Sequence, residues 1–285
     1  MEELKAFEEG LYGDLPVFEY TQIVDLDFWV DRLVSLPLYR PQYLNETCKL
    51  CQEYCLDSEF KKKMIIKAKS ICNVLIHRLF LIGVIDIDEI ISLLDKQSFI
   101  LSHYFRKYID CFNEIILKME KPSNYDDTLF SDMINMDQMI EYGFCPSTME
   151  YCLKYDDYST FCEIFVNPII SKKSLAKWSP FEWAKQPDSL DYLSFSGYFG
   201  SIKCFKHMIT SGFEITILVF ESVVCSGSMD LYHICESRLS NQENLIYRAS
   251  QFFREGFLRF FFEDMNINKT MDNISKFFLL ILLFR

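Results

Sequence analysis

DYLSFSGYFGSIKCFKHMITSG, residues Asp191–Gly212, holds two short apolar-rich runs on either side of Gly200. Two later stretches, Leu218–Leu239 and Asn244–Met265, can be laid on it with turns at Gly227 and Phe253. Seven residues before the turn stand Leu193, Phe220 and Ile246; four after it, Cys204, Leu231 and Phe257; eight after it, Met208, Cys235 and Phe261. The turns are 27 and 26 residues apart. Four and three residues before them stand Ser196-Gly197, Val223-Val224 and Ala249-Ser250, mostly small enough for neighbouring helices to approach closely. Each unit therefore predicts two short helices folded against one another, with Leu193, Cys204, Phe205 and Met208 buried. A pair this small cannot cover its own apolar face, so units stack, and stacked units make scaffolds that bind other proteins.

Outward from this core the helical period continues. Asp157 serves as the turn of a fourth, weaker unit, with Phe161 and Phe165 four and eight residues after it and Glu150 where the others are apolar. Asn167–Asp188, with Pro168, Pro180 and Pro187, reads as irregular. Further upstream the spacing predicts helices from Asp27 to a break at Pro37 and Pro41, over Tyr43–Leu56, over Glu59–Phe80 as one helix ended by Gly83, over Asp86–Leu94, over Phe99–Met119, and over Thr128–Tyr142 and Thr148–Val166. Lys121-Pro122-Ser123-Asn124 marks the boundary, because helices stop before a proline. The predicted organisation is all-α: a helical region over 1–120, stacked helix pairs over 125–276, and an apolar tail over 277–285.

Composition narrows the function. The 285 residues include 27 Phe and 16 Tyr but only 9 Gly and 8 Pro, too few turn residues for an all-β chain. A formal charge of −12 disfavours nucleic acid and anionic membrane as partners. The one basic cluster, Lys61, Lys62, Lys63, Lys67 and Lys69, lacks interleaved aromatics and reads as a solvated helix face. The N-terminus shows neither a basic nor an apolar signal region. Eleven Cys spread through apolar stretches read as small core residues in a reducing compartment, which predicts a cytoplasmic location and leaves the sequons at Asn45, Asn268 and Asn273 unused. The apolar run Phe277–Phe284 is eight residues long, against the roughly 20 of a spanning helix. It reads as part of a further unit, and an apolar face left open there predicts self-association through 277–285.

The order Leu193, Ser196-Gly197, Gly200, then an aliphatic second helix ending at Gly212, resembles the ankyrin repeat. More narrowly, Gly200-Ser201-Ile202-Lys203-Cys204-Phe205-Lys206 with Glu214-Ile215-Thr216 resembles a divergent ankyrin family expanded in protozoan parasites, whose C-terminal repeat domain has no known function. Leu75-Ile76-His77-Arg78-Leu79 with Gly83-Val84-Ile85 is similar to that family's helical leader. The resemblance implies an ankyrin-like α-solenoid behind a helical leader. Three features depart from the family pattern. Tyr192, Val219 and Leu245 replace its proline; Ser194, Glu221 and Tyr247 replace its histidine; and 26–27 residues, against about 33, leave little room for a β-hairpin finger.

Chemistry-bearing constellations are sparse. Cys48, Cys51 and Cys55 share one helix face, and the first two have C-x2-C spacing, but no second half of a zinc site follows, so they read as core. His77, His103, His207 and His233 sit in no nucleophile motif, no glycine-rich phosphate loop occurs, and Asp126-Asp127 reads as helix-start charge. No cofactor, metal or enzymatic activity is expected. The predicted function is a non-catalytic scaffold for a protein partner, against an enzyme on an unrecognised helical fold or a structural helical bundle. Its candidate protein-binding residues are those just before each turn: Tyr198, Phe199, Cys225, Ser226, Gln251 and Phe252. The competing reading packs half of them into the neighbouring unit.

Overall fold

A computed structural model describes residues 26–39, 44–55, 58–110, 112–121, 133–166, 171–172, 174–182, 184, 189–236, 243–252 and 254–264. These residues are mostly helical and contain no strand, only an isolated bridge between Leu175 and Asp191. Among them no helix is long and apolar enough to cross a membrane. The Phe277–Phe284 run lies outside them. The chain forms two compact units. One takes the described residues of Val17–Cys145 and Ser179–Gln186, the other those of Pro146–Trp178 and Pro187–Arg285.

The first unit begins with α1 (Leu26–Tyr39), which runs through Pro37 instead of stopping there. Pro37 sits in the last turn and has no N–H to give the carbonyl four residues before it, so one rung of the helix is lost there. Helix α2 (Leu44–Tyr54) follows, and the helix predicted over Glu59–Phe80 is two, α3 (Ser58–Ile71) and α4 (Asn73–Leu81). The break is at Cys72, with φ −146° and ψ 72°. Neither Gly nor Pro announces it. It lets α4 fold back on α3 and α2, which buries Met64, Ile65 and Ala68 on one side and Val74, Leu75, Ile76 and Leu79 on the other. Helix α1 packs on α2 and α3.

Helix α5 (Ile87–Leu93) opens with a capping box: Asp86 accepts from the Glu89 N–H at 2.8 Å, and Glu89 accepts from the Asp86 N–H at 3.0 Å. The helix predicted over Phe99–Met119 is also two, α6 (Phe99–Tyr104) and α7 (Phe112–Ile116). Between them, i→i+3 turns at Phe105 and Tyr108 put Phe105 and Ile109 in the core. Helix α8 is Met133–Tyr142. Four of the five lysines of α3 are matched by acids, Lys61 with Glu89, Lys63 with Asp27, Lys67 with Asp31 and Lys69 with Asp95, all within 2.9 Å, and Lys62 is exposed. The predicted solvated basic face is partly exposed and carries a ladder of ion pairs to neighbouring segments.

The described residues of the second unit form four helix pairs: α9 (Met149–Tyr155) with α10 (Tyr158–Phe165), α11 (Tyr192–Phe199) with α12 (Ile202–Thr210), α13 (Ile217–Ser226) with α14 (Met229–Glu236), and α15 (Glu243–Gln251) with α16 (Glu255–Asp264). Within each pair the two helices touch. Between pairs, α9 packs on α11, α11 on α13 and α13 on α15, so the first helices form one row. Leu193, Phe220 and Ile246 are buried, as are Cys204, Leu231, Phe257, Met208, Cys235 and Phe261. Small residues allow the close row: a Cβ on Gly197 would come within 3.0 Å of Val223 Cγ2.

Backbone geometry fixes the register. Asp156, Gly200 and Gly227 close the first helix of their pairs in the left-handed region, at φ 52°, 75° and 83°. The next residue's N–H bonds back five positions in three pairs: Asp157 to Cys152, Ser201 to Ser196 and Arg254 to Ala249. Asp156, not Asp157, is therefore the equivalent of Gly200, one residue earlier than the sequence pattern placed it. With that shift Met149, buried, fills the Leu193 position, and Phe161 matches Phe205, both fully buried. The poor fit of Glu150 disappears, because Glu150 now matches the buried Ser194. Thr148, Asp157, Asp191 and Thr216 cap their helices by accepting the N–H three residues on.

Candidate protein-interaction surface

The row of first helices brings its C-terminal ends, just before the turns, together. The six residues predicted there divide evenly. Tyr198, Cys225 and Phe252 are buried, so the exposure expected of them is not found. Phe199, Ser226 and Gln251 are half-buried. The cause is helical geometry: two residues before the turn, Tyr198 and Cys225 point to the neighbouring helix. In the last pair α15 ends one residue sooner, at Gln251, and Phe252 turns inward, its ring 5.8 Å from and nearly perpendicular to that of Tyr198.

The structure adds residues to this end. The corrected register places Tyr155 in the position of Phe199, and its side chain is 43% exposed. Tyr151, one helical turn before, lies against it with ring centroids 4.7 Å apart and the planes tilted by 42°. Lys154 Nζ lies 5.1 Å from the Tyr155 ring and 5.8 Å from the Phe199 ring, a shared cation–π contact. Trp178, from the irregular stretch, packs on Phe195 at 5.0 Å, Tyr198 at 5.9 Å and Phe199 at 6.1 Å. The sequence signal for Tyr151 and Tyr155 was the one-residue shift at Asp156; for Trp178 no periodic signal exists.

Polar contacts also link successive pairs. The Asp156 carboxylate accepts from the N–H groups of Lys203 and Cys204 at 3.0 Å each, capping α12 from the preceding pair. The Ser201 hydroxyl donates to the Leu153 carbonyl. Arg254 Nε donates to the Cys225 carbonyl at 2.7 Å, and Arg248 Nε to Glu221 at 3.1 Å. The buried Glu150 carboxylate accepts from the Lys177 N–H at 2.9 Å. Burial, with the nearby Glu150, pushes the Tyr192 phenol up to about 12.

Other reactive groups are muted by their surroundings. Burial pushes the thiols of Cys48 and Cys72 up to about 12 and Cys55 to about 11, and raises Cys51 as well, which keeps them protonated and weakly nucleophilic. Burial, helped by Arg78, lowers His77 to about 4. His207 lies among Tyr158, Phe161 and Phe165, hydrogen-bonded to Tyr158 Oη at 3.0 Å. Among the described residues no three His, Cys, Asp or Glu side chains converge as metal ligands. No protein-family model matches the chain, and neither a curated protein nor a solved structure matches it.

Proposed function

We propose that the chain is a non-catalytic scaffold for protein–protein interaction. It joins a helical leader to an ankyrin-like α-solenoid whose turn-side face, around Tyr155, Phe199, Ser226 and Gln251, receives a protein partner. One observation carries this reading. Successive helix pairs bury the same positions and pack their first helices in a row, yet leave aromatic rings partly exposed at the row's turn-side end. Rigid aromatics offer large contact area at low entropic cost. The net charge of −12 and the paired lysines of α3 favour a protein over nucleic acid or an anionic membrane. Buried, unpaired thiols such as Cys51, Cys152 and Cys204 suit a reducing, cytoplasmic setting.

The test is crosslinking and mass spectrometry of proteins captured from the source cell by the wild type and by Tyr155→Ala/Phe199→Ala. Tyr198 is left alone because it is core. The double variant keeps its far-ultraviolet circular dichroism and loses the specific partner at least tenfold. An unchanged set of captured proteins refutes the site. The apolar run Phe277–Phe284 supports a second contact, self-association. Light scattering of the purified chain with and without residues 277–285 reads it directly, and a monomer at tens of micromolar for both refutes it.

A further inference from the structure

We infer that Leu175–Trp178 is an internal ligand. It is an extended strap of this chain, seated where a basic, tryptophan-bearing extended segment of a partner protein binds in its place. The inference rests on the scaffold reading and gives that face both a partner chemistry and a built-in competitor. The strap is held as a bound peptide is held. Its residues alternate as extended chain does: Ala176 and Trp178 turn inward, while Leu175 is 55% exposed and Lys177 is exposed. The Ala176 N–H donates to the Leu190 carbonyl at 2.8 Å beside the Leu175–Asp191 bridge, and the Lys177 N–H donates to Glu150. Trp178 is the anchor, set against Phe195, Tyr198 and Phe199. Two backbone hydrogen bonds plus one aromatic anchor is the recognition pattern of extended peptides.

Two further observations give the strap the character of a ligand. Glu150 is a buried carboxylate on α9 that accepts from the Tyr192 phenol and from a backbone N–H of the strap, a donor every peptide residue but proline supplies. The sequence 171–179, SKKSLAKWS, carries three lysines and no acid in a chain of net charge −12, so strap and chain are complementary in charge. Lys172 adds a bond to the Gly212 carbonyl at 2.7 Å. No helix or disulfide secures the described residues of this stretch.

The test uses a fluorescein-labelled peptide, SKKSLAKWS, and fluorescence anisotropy on the full chain. Trp178→Ala empties the anchor position and is expected to bind the peptide at least tenfold more tightly than the wild type. The same peptide with its tryptophan replaced by alanine is expected not to bind. Equal affinity of variant and wild type overturns the inference, as does equal binding of the tryptophan-free peptide, which would reduce the effect to charge. Should Trp178→Ala fail to fold, Lys177→Pro removes the N–H that reaches Glu150, together with the lysine charge, and keeps the tryptophan. It too should bind the peptide more tightly than the wild type, and no gain overturns the inference. Failure here leaves the scaffold reading standing if Tyr155→Ala/Phe199→Ala still loses its partner; if that loss is absent, the scaffold reading fails whatever the peptide does.

Discussion

The two units solve the same problem, packing short helices, with the same devices in different proportions. In the second unit, backbone devices at each turn set the register: left-handed closing residues at Asp156, Gly200 and Gly227, side-chain caps at Thr148, Asp157, Asp191 and Thr216, and hydrogen bonds that return five residues. In the first unit such devices are sparser among the described residues, the Asp86 capping box and the left-handed Gly83 and Gly143 among them, and side-chain charges also join segments far apart in sequence, such as Lys67 to Asp31, Lys61 to Glu89 and Arg106 to Asp137. Turn devices recur with the pair and are short-range, so they specify position one helix at a time. Exposed ion pairs contribute little energy individually, so the first unit depends for its register on shape-matched cores such as Met64, Leu75, Ile76 and Leu79.

The sharpest test of that difference is the largest. Phe205 is fully buried at the centre of the second unit, and a Cβ on the neighbouring Gly197 would lie 3.4 Å from its ring. Phe205→Ala is expected to cost about 3–5 kcal/mol in chemical denaturation followed by hydrogen exchange of α11–α13. Phe199→Ala, half-exposed on the same helix row, is expected to cost less than half of that. Equal losses would make Phe199 a core residue and remove it from the proposed face.

In the first unit the largest expected effect is pH-dependent. His77 packs on Tyr104 and Phe105, and burial lowers its pKa to about 4 from an ordinary 6.5. Above pH 6.5 both folded and unfolded states leave it neutral. Between about 6.5 and 4 only the unfolded state takes the proton, so stability falls as the pH falls, by up to about 1.4 kcal/mol per pH unit. Below about 4 this group adds no further slope. Burial lowers His103 as well, in the same direction. His77→Phe keeps the ring packing and should flatten the slope between pH 6.5 and 4; an unaltered slope would assign the acid sensitivity elsewhere.

Asp156 is the next largest, and it separates backbone from side chain. Its left-handed φ of 52° suits glycine, while its carboxylate caps α12. Asp156→Gly relieves the backbone and loses the cap. Asp156→Ala loses the cap and keeps the strain, so it should be about 1 kcal/mol less stable than the glycine variant. Asp156→Asn, which retains an acceptor oxygen, should lie nearest the wild type. Thermal denaturation orders the three, and alanine equal to glycine would show that the left-handed turn carries no strain.

How much could be read beforehand follows the same division. Leu193, Phe220 and Ile246 announce the second unit because an apolar residue recurs at a fixed distance from a turn, and Gly200 and Gly227 mark the turn openly. Asp156 does the same work without being glycine, so the pattern slipped to Asp157 and hid Tyr151 and Tyr155. In the first unit the breaks at Cys72 and after Tyr104 carry no Gly or Pro, because tertiary packing imposes them. The strap was illegible for another reason: Lys177 is held by Glu150 and Trp178 by Phe195, residues 27 and 17 positions away.

The smallest expected effect concerns the charge ladder of α3. Lys67 Nζ lies 2.6 Å from Asp31 on α1, with side-chain exposures of 39% and 55%. At that exposure water and salt screen the pair, and holding two long side chains costs entropy. Reversing one charge, Lys67→Asp, puts two carboxylates side by side, and reversing both, Lys67→Asp/Asp31→Lys, restores the attraction with the signs exchanged. The double-mutant cycle is expected to give a coupling of about 0.2–1 kcal/mol at low salt and less in molar salt. Such a value would place the ladder among the devices that choose between helix registers, since a one-turn slip of α3 would bring Lys63 to the place of Lys67 and break several pairs at once. A coupling of several kcal/mol, or one indifferent to salt, would mean that the ladder stabilises the first unit as strongly as a core contact, and the contrast drawn between the two units would not hold.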